Sequence, residues 1–586
     1  MIMKKKFIIG FLLGFVIISS LLAMTMPPIK AAEEKKYFFE FTFISDPANI
    51  DAVEIMKKGW EEIGIKVNVV TMEYTTLTSR FQFKDTFIGA TYAEKGYDLA
   101  FTGWGMGAEP DLYPYYHTES QPGKSAASNN GMLYSNGAVD KLCEQALVTT
   151  DPVKRAELIK NIELIVHDEI PVFFTYNLPA MKGFSKNLDL GEYVKQPGAG
   201  LYDGAYAFRF TDKQGGTMVF VGDQNPPDLN GQFTTTTVAV NNINLVQGRL
   251  YRNGPSLGEY VPDLAESYEL SADQMTYTLH IRKGVKWHDG EPFTAKDVKF
   301  TFDLLMNPES AMTGLGFWKN FVKEVRMKDE YTIELVLKQI YAPAFFRFIV
   351  TPYMLPQHIL GDVPPSQLKN HPYNQKPLGT GPFKVVEWKT DEYIKYEAFP
   401  DFWRGKPKLD TILFRVIPDK ATGIAALEKG EVNLIEQPIY RGALISNYDR
   451  LKTIPSLQFT TYPSVGVNSL CVNLKHPALN NLYVRKAMAY AIDVDSIIKG
   501  PYCGLAKPAT QMFVEVHTAY YNPNIKAYTY NLATAKSYME KAGYHYESLI
   551  TPETPMSTYL IPAGGGIIGG LVIGFIVDRL LLKKKD

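Results

Sequence analysis

The stretch Leu264–Asp303, "LAESYELSADQMTYTLHIRKGVKWHDGEPFTAKDVKFTFD", predicts a strand, two turns and a helix in succession. Tyr277, Leu279 and Ile281 alternate with other residues, which is typical of a half-buried strand. Two glycine-containing turns follow, and Thr294 then supplies an N-cap for a helix with apolar residues at helical spacing. Both periodicities within one short stretch indicate a mixed α/β protein.

The same mixture is found along the rest of the chain. Residues 37–47 are rich in alternating aromatic residues, a helical pattern follows and ends at Gly64, and a β-branched strand comes next. This β-α-β order implies a parallel pair of strands, and the absence of a fixed short repeat favours two α/β lobes over a solenoid. Further strands are predicted in "YDLAFTGW", "IPVFFTYN" and "KPKLDTILFRVIPD", and further helices in "DPVKRAELIKNIELIVHDEI", "LYVRKAMAYAIDVDSIIKG" and "NLATAKSYMEKAGY".

Composition and charge exclude some partners. The chain has 586 residues, 46% of them hydrophobic, and Lys+Arg number 61 against 62 Asp+Glu. A net charge of −1 gives no basic face for a nucleic acid.

Motifs for covalent chemistry are missing from the sequence. Neither HExxH nor GxSxG occurs, and "PGKS" at Pro122–Ser125 has Thr118 where a phosphate-binding loop needs its first glycine. In "KWHDGE", His288, Asp289 and Glu291 could suggest a metal or acid/base site, but a tight Asp-Gly turn is the stronger interpretation. We therefore predict no enzyme activity, no catalytic residue, no metal site and no cofactor.

The two ends of the chain differ from its body. Residues 1–36 combine a basic cluster, a long apolar run and small residues, which predicts a secretory signal peptide or an uncleaved signal anchor. Residues 546–558 have the Pro/Thr composition of a stalk, and residues 559–582 form an apolar segment of spanning length that leads into a basic tail. We expect the body to lie on the extracellular face of a prokaryotic, archaeal-type cell membrane, anchored by the C-terminal helix.

The cysteines are sparse. Cys143, Cys471 and Cys503 form no disulfide framework, although a single bridge between Cys471 and Cys503 stays open at this level.

Several motifs together carry a resemblance to a known family. The opening stretch, then "GTGPFKVVEW", "DFWRGKPKLDTI", "ALEKGEVNLI" and "VRKAMAYAIDVDSI", resemble family 5 extracellular solute-binding proteins in order and spacing. This family comprises the dipeptide-, oligopeptide- and nickel-binding receptors of ABC importers. The resemblance implies an α/β, two-lobed periplasmic-binding-protein-like fold (type II, family 5).

The order of the segments departs from that of the family. Residues 37–212 resemble the C-terminal part of family 5 proteins, and residues 213–545 resemble the N-terminal part. The chain therefore resembles a circularly permuted member, with the usual termini joined through "TDKQGG". Two alternatives compete with permutation: a fusion of two truncated neighbouring genes, and a swapped dimer in which the halves pair between chains.

The resemblance also suggests ligand-binding residues. Trp104 matches a tryptophan that stacks on the ligand in the family, although a role in the core is the alternative. Gly107 stands where the family has an aspartate for a peptide's α-amine, so Glu109 or Asp111 is the expected substitute. Three loop asparagines are also expected to hydrogen-bond a polar ligand, with simple turn formation as the alternative: Asn129, Asn130 and Asn225.

The implied function is capture of a solute for import. The resemblance predicts the substrate-binding subunit of an ABC importer, which closes two lobes on a peptide or similar small polar solute. Its partners would be a membrane permease and cytoplasmic ATPase subunits. Two alternatives remain: an oligosaccharide receptor of the same fold, and a surface interaction or sensory protein without a transport role.

Overall fold

Strands from distant parts of the chain share sheets in this protein. The computed structural model describes residues 36–82, 90–124, 129–195, 200–436 and 442–549. Tyr37–Tyr544 forms one compact unit. The described part of the remainder contains a short 3-10 turn at Tyr546–Leu549. The predicted signal segment before Lys36, the stalk beyond Leu549 and the C-terminal anchor lie outside the described residues.

Within the described ranges, none of the helices combines the length and the apolar character needed to cross a bilayer.

The elements are labelled in chain order. The strands are β1 Phe39–Ser45, β2 Ile65–Thr71, β3 Leu99–Gly105, β4 Val172–Asn177, β5 Ala180–Ser185, β6 Leu188–Asp189, β7 Arg209–Phe210, β8 Thr217–Gly222, β9 Tyr251–Asn253, β10 Tyr260–Pro262, β11 Ala265–Leu270, β12 Thr276–Ile281, β13 Val322–Asp329, β14 Thr332–Leu337, β15 Phe383–Lys389, β16 Tyr393–Ala398, β17 Thr411–Val416, β18 Leu434–Glu436, β19 Leu457–Tyr462, β20 Gly466–Val472 and β21 Lys507–Pro508. The α-helices are α1 Ile50–Glu62, α2 Tyr74–Phe81, α3 Tyr113–Tyr116, α4 Gly137–Val148, α5 Pro152–Glu169, α6 Thr237–Val246, α7 Ala295–Met306, α8 Leu315–Phe321, α9 Gln357–Leu360, α10 Lys420–Glu428, α11 Ala443–Ser446, α12 Tyr448–Leu451, α13 Leu482–Tyr490, α14 Val494–Lys499 and α15 Leu532–Lys541.

A six-stranded sheet forms the first lobe, in the order β2-β1-β3-β20-β4-β21. β1 runs parallel to β2 and β3, as the β-α-β pattern predicts, whereas β20 is antiparallel to β3 and β4. Helix α1 packs closely on α13, because a Cβ on Gly59 would lie 1.9 Å from the Ala491 carbonyl oxygen. Next to this contact, Trp60 Nε1 donates to Met488 O at 3.0 Å. The first lobe is thus built from both the early and the late portion of the chain.

A seven-stranded sheet forms the base of the second lobe, in the order β15-β16-β17-β8-β18-β5-β19. β8 is parallel to β17 and β18, and β5 lies antiparallel between β18 and β19. Here β5 comes from the early portion, residues 37–212, and its neighbours come from residues 213–545. The two portions therefore co-fold within one chain.

The stretch that opened the sequence analysis belongs to a third, four-stranded sheet, in the order β11-β12-β14-β13. It contributes β11, β12 and α7, whose N-terminus carries a capping box between Thr294 and Asp297, a device that stabilises a helix by about 1 kcal/mol. Trp287 is fully buried under this sheet. Gly290 N donates to Trp287 O at 2.9 Å, so the Asp-Gly pair forms the expected turn. Sequence patterns predicted two α/β lobes and did not separate this extra sheet.

One predicted helix is divided in the structure. The pattern from Leu482 predicted a single helix through "AIDVDSIIKG", but α13 ends at Tyr490 and α14 begins at Val494. Asp493 ends the continuity because its carboxylate accepts from Ser496 N at 2.9 Å and caps a new helix.

Candidate functional site

Two short connections carry the chain between the large sheets. Leu178 and Pro179 join β4 in the first sheet to β5 in the second, and Pro463–Val465 joins β19 to β20. The connections touch, since Asn177 Nδ2 donates to Ser464 O at 3.3 Å and also to Gly466 O. Paired crossings of this kind are where two lobes can rotate relative to each other.

A cavity of about 280 Å³ lies beside these crossings and is called the hinge cavity here. Both connections line it, together with residues between Leu505 and Tyr521, which we call the cavity segment. Its volume is close to the lower end of small-ligand pockets, which span about 300–1,000 Å³. Three aromatic side chains contribute to its wall: Tyr462, Phe513 and Tyr521.

Of the described residues that line the hinge cavity, Lys507 and Glu515 bring formal charges. Lys507 Nζ lies 2.8 Å from Glu515 Oε2, and both side chains are 68% exposed. An ion pair this exposed contributes little to the stability of the fold. A solute with charges of both signs can therefore replace the Lys507–Glu515 contact with its own contacts at a small cost in free energy.

The buried side chain of Lys182 fixes the position of Tyr462. Lys182 Nζ lies 3.9 Å from the centroid of the Tyr462 ring, donates to its hydroxyl, and donates to Val194 O at 3.2 Å. Burial lowers the pKa of Lys182 to about 8, and the nearby Glu436 opposes that shift. These contacts fix an aromatic side chain at the end of β19, where the chain crosses between sheets.

The loop after β3, Met106–Leu112, carries two of the predicted ligand contacts and is called the β3 loop. Glu109 Oε2 accepts from Arg155 Nη1 at 2.9 Å, and the Arg155 side chain is only 5% exposed. Arg155 also donates through Nε to Ala146 O at 3.1 Å and through Nη2 to Pro110 O. Glu109 therefore balances a buried guanidinium, which would be costly without a carboxylate partner.

Asp111 links the first lobe to the core of the four-stranded sheet. Its Oδ1 accepts from Tyr113 N at 3.1 Å, and its Oδ2 accepts at 3.1 Å from the hydroxyl of Tyr341, which belongs to the core of the four-stranded sheet. Burial raises the pKa of Asp111, and the Arg347 guanidinium partly offsets this effect. Both carboxylates of the β3 loop are thus engaged within the protein in this conformation.

Helix α5 and His517 connect the β3 loop with the hinge cavity. Glu163 on α5 is buried, and its Oε2 accepts from Met512 N, in the cavity segment, at 2.8 Å. Burial raises the pKa of Glu163 to about 8, so the folded protein holds this carboxyl mostly protonated at neutral pH. His517 accepts from Val514 N at Nδ1, 3.2 Å away, and its Nε2 lies 2.8 Å from Met106 O, to which it donates in that tautomer. One helix and one histidine thereby position the cavity wall and the β3 loop together.

Trp104 does not line the hinge cavity. It is 9% exposed, packs edge-on against Tyr115 at 4.6 Å between ring centroids, and donates from Nε1 to Thr102 Oγ1 at 3.1 Å. It shares a hydrophobic core with Phe513 and Val514, which do line the cavity. Stacking of Trp104 on a ligand stays a prediction, and in this conformation the ring supports the wall from behind.

The three predicted asparagines lie in separate places. Asn130 is fully buried and its amide bonds to His117 O, Tyr134 O and Tyr134 N, so it shapes its own loop. Asn129 is half-buried and its backbone N–H donates to Pro114 O at 2.9 Å. Asn225 pairs with Asp391 in the turn between β15 and β16. The structure does not bring these amides to the hinge cavity.

The cysteine bridge that the sequence left open is not formed. Cys471 is buried, 3.2 Å from Thr102 Oγ1, and Cys503 is exposed, both as free thiols.

Sequence reasoning missed the residues that organise this site. Arg155 and Glu163 stand on the buried face of α5 with Ile159 and Ile162, and charged residues at core positions of a helix are a detectable signal. No sequence signal marks Lys507 and Glu515, because an irregular segment separates them and only folding pairs them.

Part of the chain matches a protein-family model. Residues 259–563 match the model described as "Bacterial extracellular solute-binding proteins, family 5 Middle". The chain belongs to this family. The resemblance noted from the motifs is thus confirmed at the level of the family.

Individual relatives of this family 5 protein cover only part of it. A Brucella ovis protein named for peptide binding in an ABC transporter is 33% identical over 355 residues, which is 60% of this chain and 64% of that protein. The dipeptide-binding protein of Escherichia coli K12 is 30% identical over 349 residues, covering 56% of this chain and 64% of the relative. The chain thus spans somewhat less than two thirds of these relatives. Among solved structures, the oligopeptide-binding protein AppA of Bacillus subtilis in complex with a nonapeptide has a TM-score of 0.49 at 27% identity, over 57% of this chain and 65% of that one.

Proposed function

We propose that this family 5 protein is the substrate-binding subunit of an ABC importer and captures a short peptide, or a similar small zwitterionic solute, in the hinge cavity. The observation that carries the proposal is a cavity at the two crossings whose charged lining is one cation and one anion, Lys507 and Glu515. A short peptide offers the complementary carboxylate and ammonium. The peptide-binding relatives of E. coli and Brucella support the same solute class.

The proposed contacts differ from those first expected. Glu109 and Asp111 already bond Arg155 and Tyr341, so an ammonium would have to break an internal pair to reach them. Glu515 is 68% exposed and gives up only a surface pair. We therefore assign the α-amine to Glu515 and the carboxylate to Lys507, with the aromatic wall around the apolar side chains.

Capture works through lobe rotation. A solute that contacts the crossings and the cavity segment gains most when the lobes are closed around it, and it shifts the open–closed equilibrium by that difference in affinity. No covalent step is needed. The closed, loaded form would be the one that a membrane permease with cytoplasmic ATPase subunits accepts, on the extracellular face where the predicted signal and anchor would hold it.

We further propose that the segment order is a circular permutation. The interleaving of β1–β5 with β8 and β15–β21 in two sheets supports one co-folded body. The family model matches residues 259–563, so the early portion of the chain lies outside that match. A fusion of parts from two receptors would instead leave the portions able to fold separately, which limited proteolysis of residues 37–545 would detect.

Isothermal titration calorimetry with panels of dipeptides, tripeptides and oligosaccharides tests the function. We expect saturable heat with peptides and an affinity loss of about tenfold on Glu515→Gln, because one charge-assisted contact disappears. Glu540→Gln, at an exposed glutamate on α15, is the matched control and leaves binding unchanged. Peptide binding that ignores Glu515→Gln would refute this site, and absence of peptide binding would refute the solute class.

A second candidate rests on the aromatic wall. Tyr462, Phe513 and Tyr521 could stack on pyranose rings, so tight oligosaccharide heat without any peptide heat would favour a sugar receptor of the same fold.

A further inference from the structure

Arginines outnumber their carboxylate partners at one place in the second lobe. Arg249 and Arg252 adjoin β9, Arg282 follows β12, and Arg404 lies in the turn after β16. Two acidic residues, Asp203 and Asp263, lie among them and are both 7% exposed. We call these six residues the arginine cluster.

The two carboxylates are already committed. Asp203 Oδ1 pairs with Arg249 Nη2, and the nearest Arg404 nitrogen lies 3.8 Å from Asp263 Oδ1. Arg252 is 4% exposed and donates Nη1 only to a backbone oxygen, that of Asp203. Among the described residues of the cluster, four guanidinium groups thus lie near two carboxylates, which leaves a surplus of two positive charges. Consistent with that surplus, burial and the neighbouring Arg252 charge lower the pKa of Arg404.

Aromatic rings flank the guanidiniums. The Arg252 Cζ lies 5.7 Å from the Tyr193 ring centroid and 5.4 Å from that of Tyr206. The Arg404 Cζ lies 5.5 Å from the same Tyr206 ring and 4.3 Å from Trp403. Rings that stack on guanidinium faces leave the N–H edges as the groups available to a ligand.

Those edges carry unused donors. Arg252 Nε and Nη2, Arg404 Nε and Trp403 Nε1 are buried and have no hydrogen-bond partner among the described residues. Buried donors without acceptors are rare in native proteins, and guanidinium and indole groups can only donate. An acceptor bound at these edges would satisfy them, and a negatively charged acceptor would also balance the surplus charge.

We infer that the arginine cluster binds a small oxyanion, such as phosphate or sulfate, on Arg252, Arg404 and Trp403. Tetrahedral oxyanions accept several charge-assisted hydrogen bonds at once, which fits donors from three side chains. The anion enters from the side of Tyr206 and Arg404, because the Arg404 side chain is 19% exposed and Tyr206 is half-buried. Asp203 Oδ2 also lacks a partner among the described residues, and its negative charge opposes the anion, so binding depends on the surplus of positive charge in the cluster.

Titration with inorganic phosphate and with sulfate tests the inference, at constant ionic strength maintained with sodium chloride. Equilibrium dialysis of the full chain with labelled phosphate should show one anion bound per chain. Arg404→Gln should weaken this binding at least tenfold, because it removes one positive charge and the Nε donor. Arg326→Gln is the matched control, since Arg326 is exposed and lies on β13 outside the cluster.

A milder variant keeps the test decisive if Arg404→Gln folds poorly. Trp403→Phe keeps an aromatic ring beside Arg404 and removes only the indole N–H, so we expect a three- to tenfold loss of phosphate affinity with an unchanged circular dichroism spectrum. Phenyl phosphate identifies the source of the anion: equal binding indicates an anionic group on a larger molecule, and binding of inorganic phosphate alone indicates a free ion. Absence of saturable binding by the parent, or binding unaffected by both variants, overturns the inference.

Discussion

Two sets of ionisable residues near the hinge cavity differ in burial. Arg155 and Glu163 project from α5 into the interior and hold the β3 loop and the cavity segment. Lys507 and Glu515, which line the cavity, are each 68% exposed and form an ion pair with each other. The buried set is tied to backbone atoms, whereas the exposed set is free to change partners.

This difference in burial assigns different roles to the two sets: the buried residues maintain the structure, and the exposed residues are the ones proposed to contact the solute. A buried charge has a large energetic consequence when its partner is removed, because the remaining group cannot be rehydrated. An exposed pair loses little, since water replaces the partner. Changes to the first set should therefore alter stability, and changes to the second should alter binding with the fold intact.

The largest expected effect is on the pH dependence of stability, at Glu163. Its folded pKa of about 8 lies above the ordinary glutamate value of about 4.3, so the folded state keeps a proton that the unfolded state releases. Stability from this group is fully present below pH 4.3 and is lost as pH rises through 8. Glu163→Gln should remove that loss, so the variant should gain up to about 5 kcal/mol over the parent between pH 4 and pH 9.

Urea unfolding at pH 4, 7 and 9 measures this gain. Glu157→Gln, at an exposed position of the same helix, should give parallel curves for variant and parent. A constant difference for Glu163→Gln across the pH range would contradict the assignment.

Next in size is the loss of Arg155. Arg155→Met keeps the aliphatic bulk but removes donors to Ala146 O, Pro110 O and Glu109, and we expect unfolding free energy to fall by about 3 kcal/mol. Chemical denaturation measures it, with the exposed neighbour Lys154→Met expected to change stability by less than about 0.5 kcal/mol. If both substitutions changed the unfolding free energy equally, the buried contacts of Arg155 would not contribute to stability.

A smaller loss of stability is expected for the contact between Asp111 and the core of the four-stranded sheet. Tyr341→Phe deletes only the hydroxyl that donates to buried Asp111 and should cost about 1.5 kcal/mol. Tyr268→Phe, at a 40% exposed tyrosine, should cost much less in the same denaturation experiment. If Tyr341→Phe left the unfolding free energy unchanged, the buried Asp111 carboxylate would not depend on the Tyr341 hydroxyl.

The smallest effect on stability should come from the exposed pair. Lys507→Gln should leave unfolding free energy within about 0.5 kcal/mol of the parent, while the proposed peptide affinity falls several-fold. Denaturation and calorimetry on the same preparation check both. A large loss of stability for Lys507→Gln without a change in peptide affinity would contradict the assignment of the exposed pair to binding.

Local patterns predicted much of the fold. The parallel β1-α1-β2 unit follows from the alternating aromatic residues and the helix stop at Gly64, and the start of α7 follows from Thr294 and its capping partner. The split between α13 and α14 was not predicted, because the apolar spacing continues through Asp493 while its side chain caps a second helix. The spacing of apolar residues does not show where a polar side chain will hydrogen-bond to the nearby backbone and cap a new helix.

The candidate site was less predictable. The resemblance pointed to Trp104, Glu109 and Asp111 on one loop, but it could not show that Arg155 and Tyr341 already occupy the two carboxylates. Those partners lie 46 and 230 positions away along the chain.

By itself, the sequence determined the α/β class, several of the helices and strands, the near-neutral charge and the family, because each depends on local spacing and composition. The tertiary structure alone decided which strands share a sheet, where the two crossings meet, and which charges are buried or exposed. The physical reason is that desolvation and charge pairing depend on distances through space, and residues such as Lys507 and Glu515, or Glu163 and Met512, become neighbours only when the chain has folded.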